Sequence, residues 1–143
     1  IDNDVVLLYV GSGPLEEEVK KYAKDIGIYN NIFFLGARND VPDLLNASDC
    51  FLLPSKYEGF GIVLIEAQAN GLQCFTSKDV VPFETNVNGL VKHIDLNETP
   101  HYWALEITNA LKENINRADY AKLLEGSGFV IDETINDLEK IFL

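Results

Sequence analysis

The chain has 143 residues, 47% hydrophobic and 24% charged, which is the composition of one folded domain and not of a disordered segment. With 11 Lys and Arg against 23 Asp and Glu the formal net charge is −12, a sign that repels phosphate backbones, so no nucleic-acid partner is expected. No apolar run approaches the roughly 20 residues of a membrane helix, and no basic segment followed by an apolar one opens the chain as a secretory signal would.

Met is absent throughout, position 1 included; this reads as a cut piece, a processed product or an incomplete record. Cys50 and Cys74 lie outside any C-x-x-C spacing and within apolar stretches. They read as buried free thiols of a cytoplasmic protein.

Val5 to Val10 is a continuous apolar run, read as a strand buried on both faces, as in a parallel sheet. After Gly11-Ser12-Gly13, Pro14 suits a first helical turn and Glu16, Glu17 and Glu18 suit its positive end. Leu15, Val19, Tyr22 and Ile26 recur at helical spacing, and Gly27 stops the helix. Asn31 to Gly36 is a second strand. Val41 to Asn46 is a short helix with Asp40 as its cap. Cys50 to Leu53 is a third strand, Ile62 to Asn70 a helix ended by Gly71, Gln73 to Thr76 a fourth strand and Gly89 to Ile94 a fifth. Thr99-Pro100 opens a helix with Trp103, Ile107, Leu111 and Ile115 on one stripe. Ala118 to Leu124 forms another, and Ile131, Ile135, Leu138 and Phe142 mark a last amphipathic one. Strands and helices alternating in this way predict a Rossmann-like open parallel α/β sheet with helices on both faces.

Ligands of such sheets bind beyond the strand carboxyl ends. The end at Gly11-Ser12-Gly13 fails the dinucleotide fingerprint: its third glycine position holds Glu16, with two more acids behind it. A tight strand-to-helix turn is the better reading there. Gly59-Phe60-Gly61 differs, because it opens a helix whose first N–H groups are free to meet an anion. Glu58 precedes that helix, and Glu66 lies about 12 Å further along it. Gly59, Ile62 and Glu66 share a face. Glu66 is the one charge between Gly59 and Asn70, in a helix apolar nearly all round and hence read as buried. Either it accepts ligand hydroxyls or it reaches solvent or a neighbouring loop.

Pro54 to Ala67, P-S-K-Y-E-G-F-G-I-V-L-I-E-A, resembles the E-x7-E segment of the GT4 family of retaining glycosyltransferases, which have the GT-B fold. Leu8 to Pro14, Ile32 to Gly36 and Ala47 to Ser55 follow the family's order and spacing, so the likeness runs from about residue 5 to about residue 94. Glu84 to Ile107 further resembles the bacterial capsule and exopolysaccharide branch.

The resemblance implies a donor domain for a nucleotide-diphosphate sugar, UDP-linked by family habit. Glu58 would act as the catalytic-site residue holding hydroxyls of the transferred sugar. The backbone of Gly59, Phe60, Gly61 and Ile62 would cradle the sugar and diphosphate. Glu66 would accept the ribose hydroxyls, and the loop by Arg38, with Gly11, would meet the nucleotide. Transfer would retain anomeric configuration, with no metal and no other cofactor. The leaving diphosphate would help deprotonate the acceptor, while the protein positions and stabilises charge.

The resemblance also implies that residues 1–143 are one donor domain, with residues 100–143 its C-terminal helices. A first βα unit bearing an Arg and a Lys would be missing, as would the N-terminal domain that meets a glycan or lipid-linked acceptor. It leaves room for peripheral membrane association of the full-length protein at the inner face. The fragment alone is expected to transfer nothing. The missing strand would leave a gap in the sheet or bring the first and third strands into direct pairing. Thr76 to Glu84 lacks the family's Gly-Gly pair, and Glu84 stands where its glutamate falls.

Rival readings are a GT-B nucleotide-sugar epimerase and a non-catalytic Rossmann-like binding module. Against a receiver-like module, Asp49 sits at the wrong end of its strand. His93 and His101 have no acidic partner at a readable spacing and are assigned structural roles. Lys56 and Lys78 lie at strand ends, as phosphate contacts or as solvated loop lysines.

Overall fold

A computed structural model describes residues 5–113, 115–125, 127–132, 135 and 140. The chain divides into two compact units, Ile1–Val41 and Pro42–Leu143. Its elements come in the order predicted, and the Rossmann-like parallel α/β class read from the sequence is the class observed.

In the first unit, β1 (Leu7–Val10) pairs in parallel with β2 (Ile32–Gly36), joined by α1 (Glu16–Asp25). Leu7 and Val10 are each 41% exposed, and Val5 and Val6 precede the strand. The expected strand buried on both faces is therefore not observed, because two strands offer too little surface to cover it. The α1 stripe is corrected too. Leu15, Tyr22 and Ile26 are exposed, and the inward side is Glu16, Val19, Lys20 and Ala23. Lys20 bonds Glu16 and Glu17 at 2.7 and 2.9 Å, and its ammonium lies 5.6 Å from the Phe34 ring centroid. Its aliphatic stem thus does work expected of an apolar residue.

In the second unit, β3 (Cys50–Leu53), β4 (Gln73–Ser77) and β5 (Val91–Ile94) form a parallel sheet in that order. Each unit keeps its own sheet, of two strands in the first and three in the second. The segment α2 (Val41–Asn46) leads into β3, and α3 (Ile62–Ala69) crosses from β3 to β4 and packs on both. Leu64, Leu72, Cys74, Phe75 and Val81 form the dry centre, each large one contributing roughly 1.5–3 kcal/mol by burial.

Beyond β5 come α4 (Pro100–Ala110) and α5 (Arg117–Lys122). Thr99 caps α4, its hydroxyl accepting from the Tyr102 N–H at 3.2 Å. Trp103 and Ile107 are half-buried on the predicted stripe, and Leu111 is exposed past the helix end. Ile131 and Ile135 are exposed; Leu138 and Phe142 of the last predicted helix lie outside the described residues.

Helix α3 ends in a Schellman turn: Leu72 N–H donates to Ala67 O (3.1 Å) and Gly71 N–H to Gln68 O (2.9 Å). Gly71 has φ 67°, and a Cβ there would sit 2.6 Å from the Arg117 carbonyl oxygen. The Arg117 guanidinium in turn donates to the Asn46 and Ser48 carbonyls, tying α5 to the entry of β3. Gly71→Ala is expected to cost about 2–4 kcal/mol in urea unfolding, from left-handed strain plus overpacking against rigid backbone.

Candidate functional site

The carboxyl ends of β3 and β4 carry the segments Pro54–Gly61 and Lys78–Asn88. Helix α3 starts from Gly61, buried and at φ 80°, whose carbonyl accepts the Leu64 N–H at 2.8 Å. A Cβ on Gly61 would lie 3.4 Å from Leu64 Cδ1 and 3.5 Å from Val81 Cγ1, so α3 and the loop after β4 converge at this residue. Its φ favours glycine, and its neighbours leave a side chain little room.

The predicted site residues of this unit form one continuous run. Glu58 is exposed, and its Oε1 accepts the Gly59 N–H at 3.0 Å. One N–H expected to be free is thus already taken by the glutamate before it. Among the described residues, nothing accepts from the N–H groups of Phe60, Gly61, Ile62 and Val63. They stand at the positive end of α3. The Phe60 ring stacks on Phe129 at 5.7 Å between centroids, a contact with no signal in the sequence.

Glu66 is corrected. Helix α3 is not buried all round: Ile62 is 63% exposed and Glu66 and Ala69 are exposed with it, at i, i+4 and i+7. The Glu66 carboxylate makes no hydrogen bond or ion pair within the described residues. It is an open acceptor on the same helix face as Ile62. The buried inner face of α3 is Leu64, Ile65, Ala67 and Gln68.

Gly11 and Arg38 lie in the first unit, at the carboxyl ends of β1 and β2. Gly11 N–H donates to Gly36 O at 2.8 Å, extending the β1–β2 pairing by one bond. The Arg38 guanidinium holds the Asp40 carboxylate by two bonds, 2.8 and 2.5 Å. That pairing lowers the Asp40 pKa and raises that of Arg38. Asp40, read as a helix cap, thus has its carboxylate engaged by Arg38.

Other candidates sort by environment. The Cys74 thiol is buried, donates toward Leu72 O, and is pushed up to about 12 by burial; Cys50 is raised for the same reason. Both are free thiols, and a neutral thiol is a poor nucleophile. Glu84 is exposed in the 3-10 turn Phe83–Thr85. His93 lies against the Phe83 ring at 4.3 Å, with Nε2 buried and without a partner among the described residues. Among those residues no cluster of three or more His, Cys, Asp or Glu could hold a metal ion, and no helix is long and apolar enough to cross a membrane.

Sequence reasoning missed Gln68. It is fully buried, yet its amide bonds backbone groups of the loop after β4. A lone amide in an apolar helix was the available signal.

A parallel sheet with an unpaired helix start beyond its strand ends, and two exposed carboxylates near that start, has the ligand face of a Rossmann-like nucleotide-binding fold. Comparison with known proteins narrows the class. Residues 1–123 match the glycosyl transferases group 1 family, and the chain belongs to it.

The putative glycosyltransferase EpsF of Bacillus subtilis (strain 168) is 30% identical over 137 residues, 95% of this chain and 36% of the relative. The Escherichia coli UDP-Gal:alpha-D-GlcNAc-diphosphoundecaprenol alpha-1,3-galactosyltransferase is 40% identical over 87 residues, 60% of this chain and 20% of that enzyme. The crystal structure of WaaG, a glycosyltransferase involved in lipopolysaccharide biosynthesis, superposes with TM-score 0.69 at 27% identity, covering 82% of this chain and 32% of WaaG. The chain thus spans about a third or less of the length of these proteins.

Burial lowers the His93 pKa from its ordinary 6.5, a hydrogen bond to the Pro82 carbonyl partly opposing it. The folded state therefore disfavours the imidazolium, and the unfolded chain takes up the proton first. Stability is expected to fall as pH drops below 6.5. Urea midpoints at about pH 7 and about pH 5.5 should differ less in His93→Gln than in the parent chain.

Proposed function

We propose that residues 1–143 are the donor-binding part of a retaining glycosyltransferase, which moves a sugar from a UDP-linked donor to a glycan or lipid-linked acceptor in bacterial polysaccharide biosynthesis. The observation that carries this reading is the start of α3. Four N–H groups without acceptors among the described residues stand there, between an exposed Glu58 and an exposed Glu66. Such an end stabilises a diphosphate without a dedicated cation. The E. coli relative, whose name specifies a UDP-linked galactose, supports UDP as the nucleotide.

In this reading the backbone of Gly59, Phe60, Gly61 and Ile62 receives the sugar and diphosphate. Glu58 leaves Gly59 N–H to accept sugar hydroxyls, and Glu66 accepts the two ribose hydroxyls. Gly11 and Arg38 belong to the nucleotide side. The anomeric carbon–oxygen bond to the diphosphate breaks, and the acceptor oxygen bonds to the same face. The acceptor proton passes to the leaving diphosphate. The protein supplies position and charge stabilisation, with no metal and no other cofactor. The acceptor is held by a domain outside these residues, and the complete enzyme works in the cytoplasm, at the membrane's inner face where the acceptor is lipid-linked.

Calorimetric titration of the full-length protein tests the division of roles. Glu66→Gln should weaken UDP and UDP-sugar alike, by roughly ten- to a hundredfold, the scale of hydrogen bonds to a charged acceptor. Glu58→Gln should leave UDP affinity unchanged and weaken UDP-sugar by a similar factor. Equal losses of UDP binding in both variants refute the assignment.

A further inference from the structure

Gln68 is 0% exposed, and every hydrogen-bonding valence of its amide is used. Nε2 donates to Leu64 O (3.0 Å) within α3 and to Thr85 O (2.7 Å) in the loop after β4. Oε1 accepts from the N–H groups of Val87 (3.1 Å) and Asn88 (3.4 Å) in the same loop. Asn88 answers from the loop side: its Nδ2 donates to the Gln68 carbonyl (3.2 Å) and to Tyr120 O (3.3 Å). One helix side chain thus satisfies three backbone groups of a loop 17 to 20 residues away in sequence.

The loop so held is the one whose Val81 side chain lies against Gly61 and whose Phe83 and Glu84 sit on its 3-10 turn. Irregular backbone has no ladder of its own to fix it. Within the loop Val87 N–H and Thr85 O bond each other at 3.1 Å, but that bond does not tie the loop to α3. The Gln68 amide does, and without it the Asn88 N–H would lose its one partner among the described residues at a cost of about 1–3 kcal/mol. Residue type matters. A leucine would fill the volume and satisfy none of the three groups. A glutamate would keep acceptors for Val87 and Asn88 and offer the Thr85 carbonyl no donor.

We infer that Gln68 is a positioning residue for donor-sugar recognition: through its amide it holds the Thr85–Asn88 loop, and with it Val81 against Gly61 and the exposed Glu84, in register with the Glu58–Gly61 turn. This rests on the donor-binding reading above. Gln68 touches no ligand in this account; it acts through the loop.

The test uses the full-length protein with UDP and with UDP-glucose, UDP-galactose and UDP-N-acetylglucosamine as probes. In Gln68→Glu, affinity for the bound UDP-sugar should fall about ten- to a hundredfold, the effect of one or two lost buried hydrogen bonds, while UDP affinity stays within about threefold. Amide exchange at Val87 and Asn88 should accelerate at least about tenfold in the same variant, while α1 amides keep their protection. Asn88→Ala, which leaves α3 intact, should reproduce the split and covers the case in which Gln68→Glu does not fold. UDP and UDP-sugar weakened equally would mean a merely structural role and overturn the inference, as would unchanged UDP-sugar binding. A parent protein that binds none of the four probes overturns the donor reading and this inference with it. Normal binding by the parent with no split in the variants overturns this inference alone.

Discussion

The Gln68 amide is sealed from water and bonds three backbone groups of a distant loop; Val87 N–H and Thr85 O also bond each other, while Asn88 N–H has its partner, among the described residues, on Gln68 alone. A buried carbonyl or N–H must be paired, so the constraint acts in both directions. The loop can leave α3 only by stranding the Asn88 N–H and the buried Gln68 amide, and α3 can shift only by dragging the loop. Asn88 doubles the link and extends it to α5 through Tyr120 O. Arg117 closes the circuit, its guanidinium on the Asn46 and Ser48 carbonyls before β3 and its backbone against Gly71. The second unit is therefore held by polar bonds at the C-terminal end of α3, beside a dry centre of Leu64, Leu72 and Phe75.

This division of labour gives α3 two polar residues with opposite duties. Gln68 faces inward and organises. Glu66, two residues before it, faces outward and is open. A turn of 100° per residue separates them by about 200°, so they cannot exchange roles without rotating the helix. Rotation would bury a carboxylate and expose Leu64, which both burial terms oppose. The side of α3 left open to solvent is fixed by the side that meets the sheet.

Much of the fold was legible because its signals are local. Gly27 and Gly71 end helices where their positions say, and the strands of the second unit start and stop within two residues of their apolar runs. The run from Glu58 to Glu66 was also legible, since a glycine-flanked helix start is a matter of sequence order. Exposure was not. Leu15, Tyr22 and Ile26 form a periodic stripe, yet Glu16, Val19, Lys20 and Ala23 turn inward, because periodicity marks an apolar side without saying what surface it will meet. Glu66 was misjudged for the same reason: eight apolar-rich positions look uniform until the sheet chooses a face. The loop contacts of Gln68 span 17 to 20 residues, and no local pattern encodes a partner at that distance.

The charge of −12 bears on how the proposed site would meet a diphosphate. Several cations are already committed: Lys20 to Glu16 and Glu17, Arg38 to Asp40, Lys92 to Glu106, and Arg117 to backbone carbonyls. Lys56 and Lys78 stand beyond β3 and β4, where their charge falls on the strand-end face. Attraction at long range is therefore weak, and screening at physiological salt reduces it further beyond about 8 Å. What remains acts at contact: the N–H groups from Phe60 to Val63, fixed in direction by α3. Backbone donors cost no reorganisation when a dianion arrives, and their dipoles need no counter-charge in the free state. A cluster of lysines would not have that property, since like charges held together in an empty site repel. An acidic surface and a neutral phosphate cradle of the proposed kind are thus compatible, provided the helix start is held rigidly. That rigidity comes from Gly61 at its cap and from the loop that Gln68 fastens beside it.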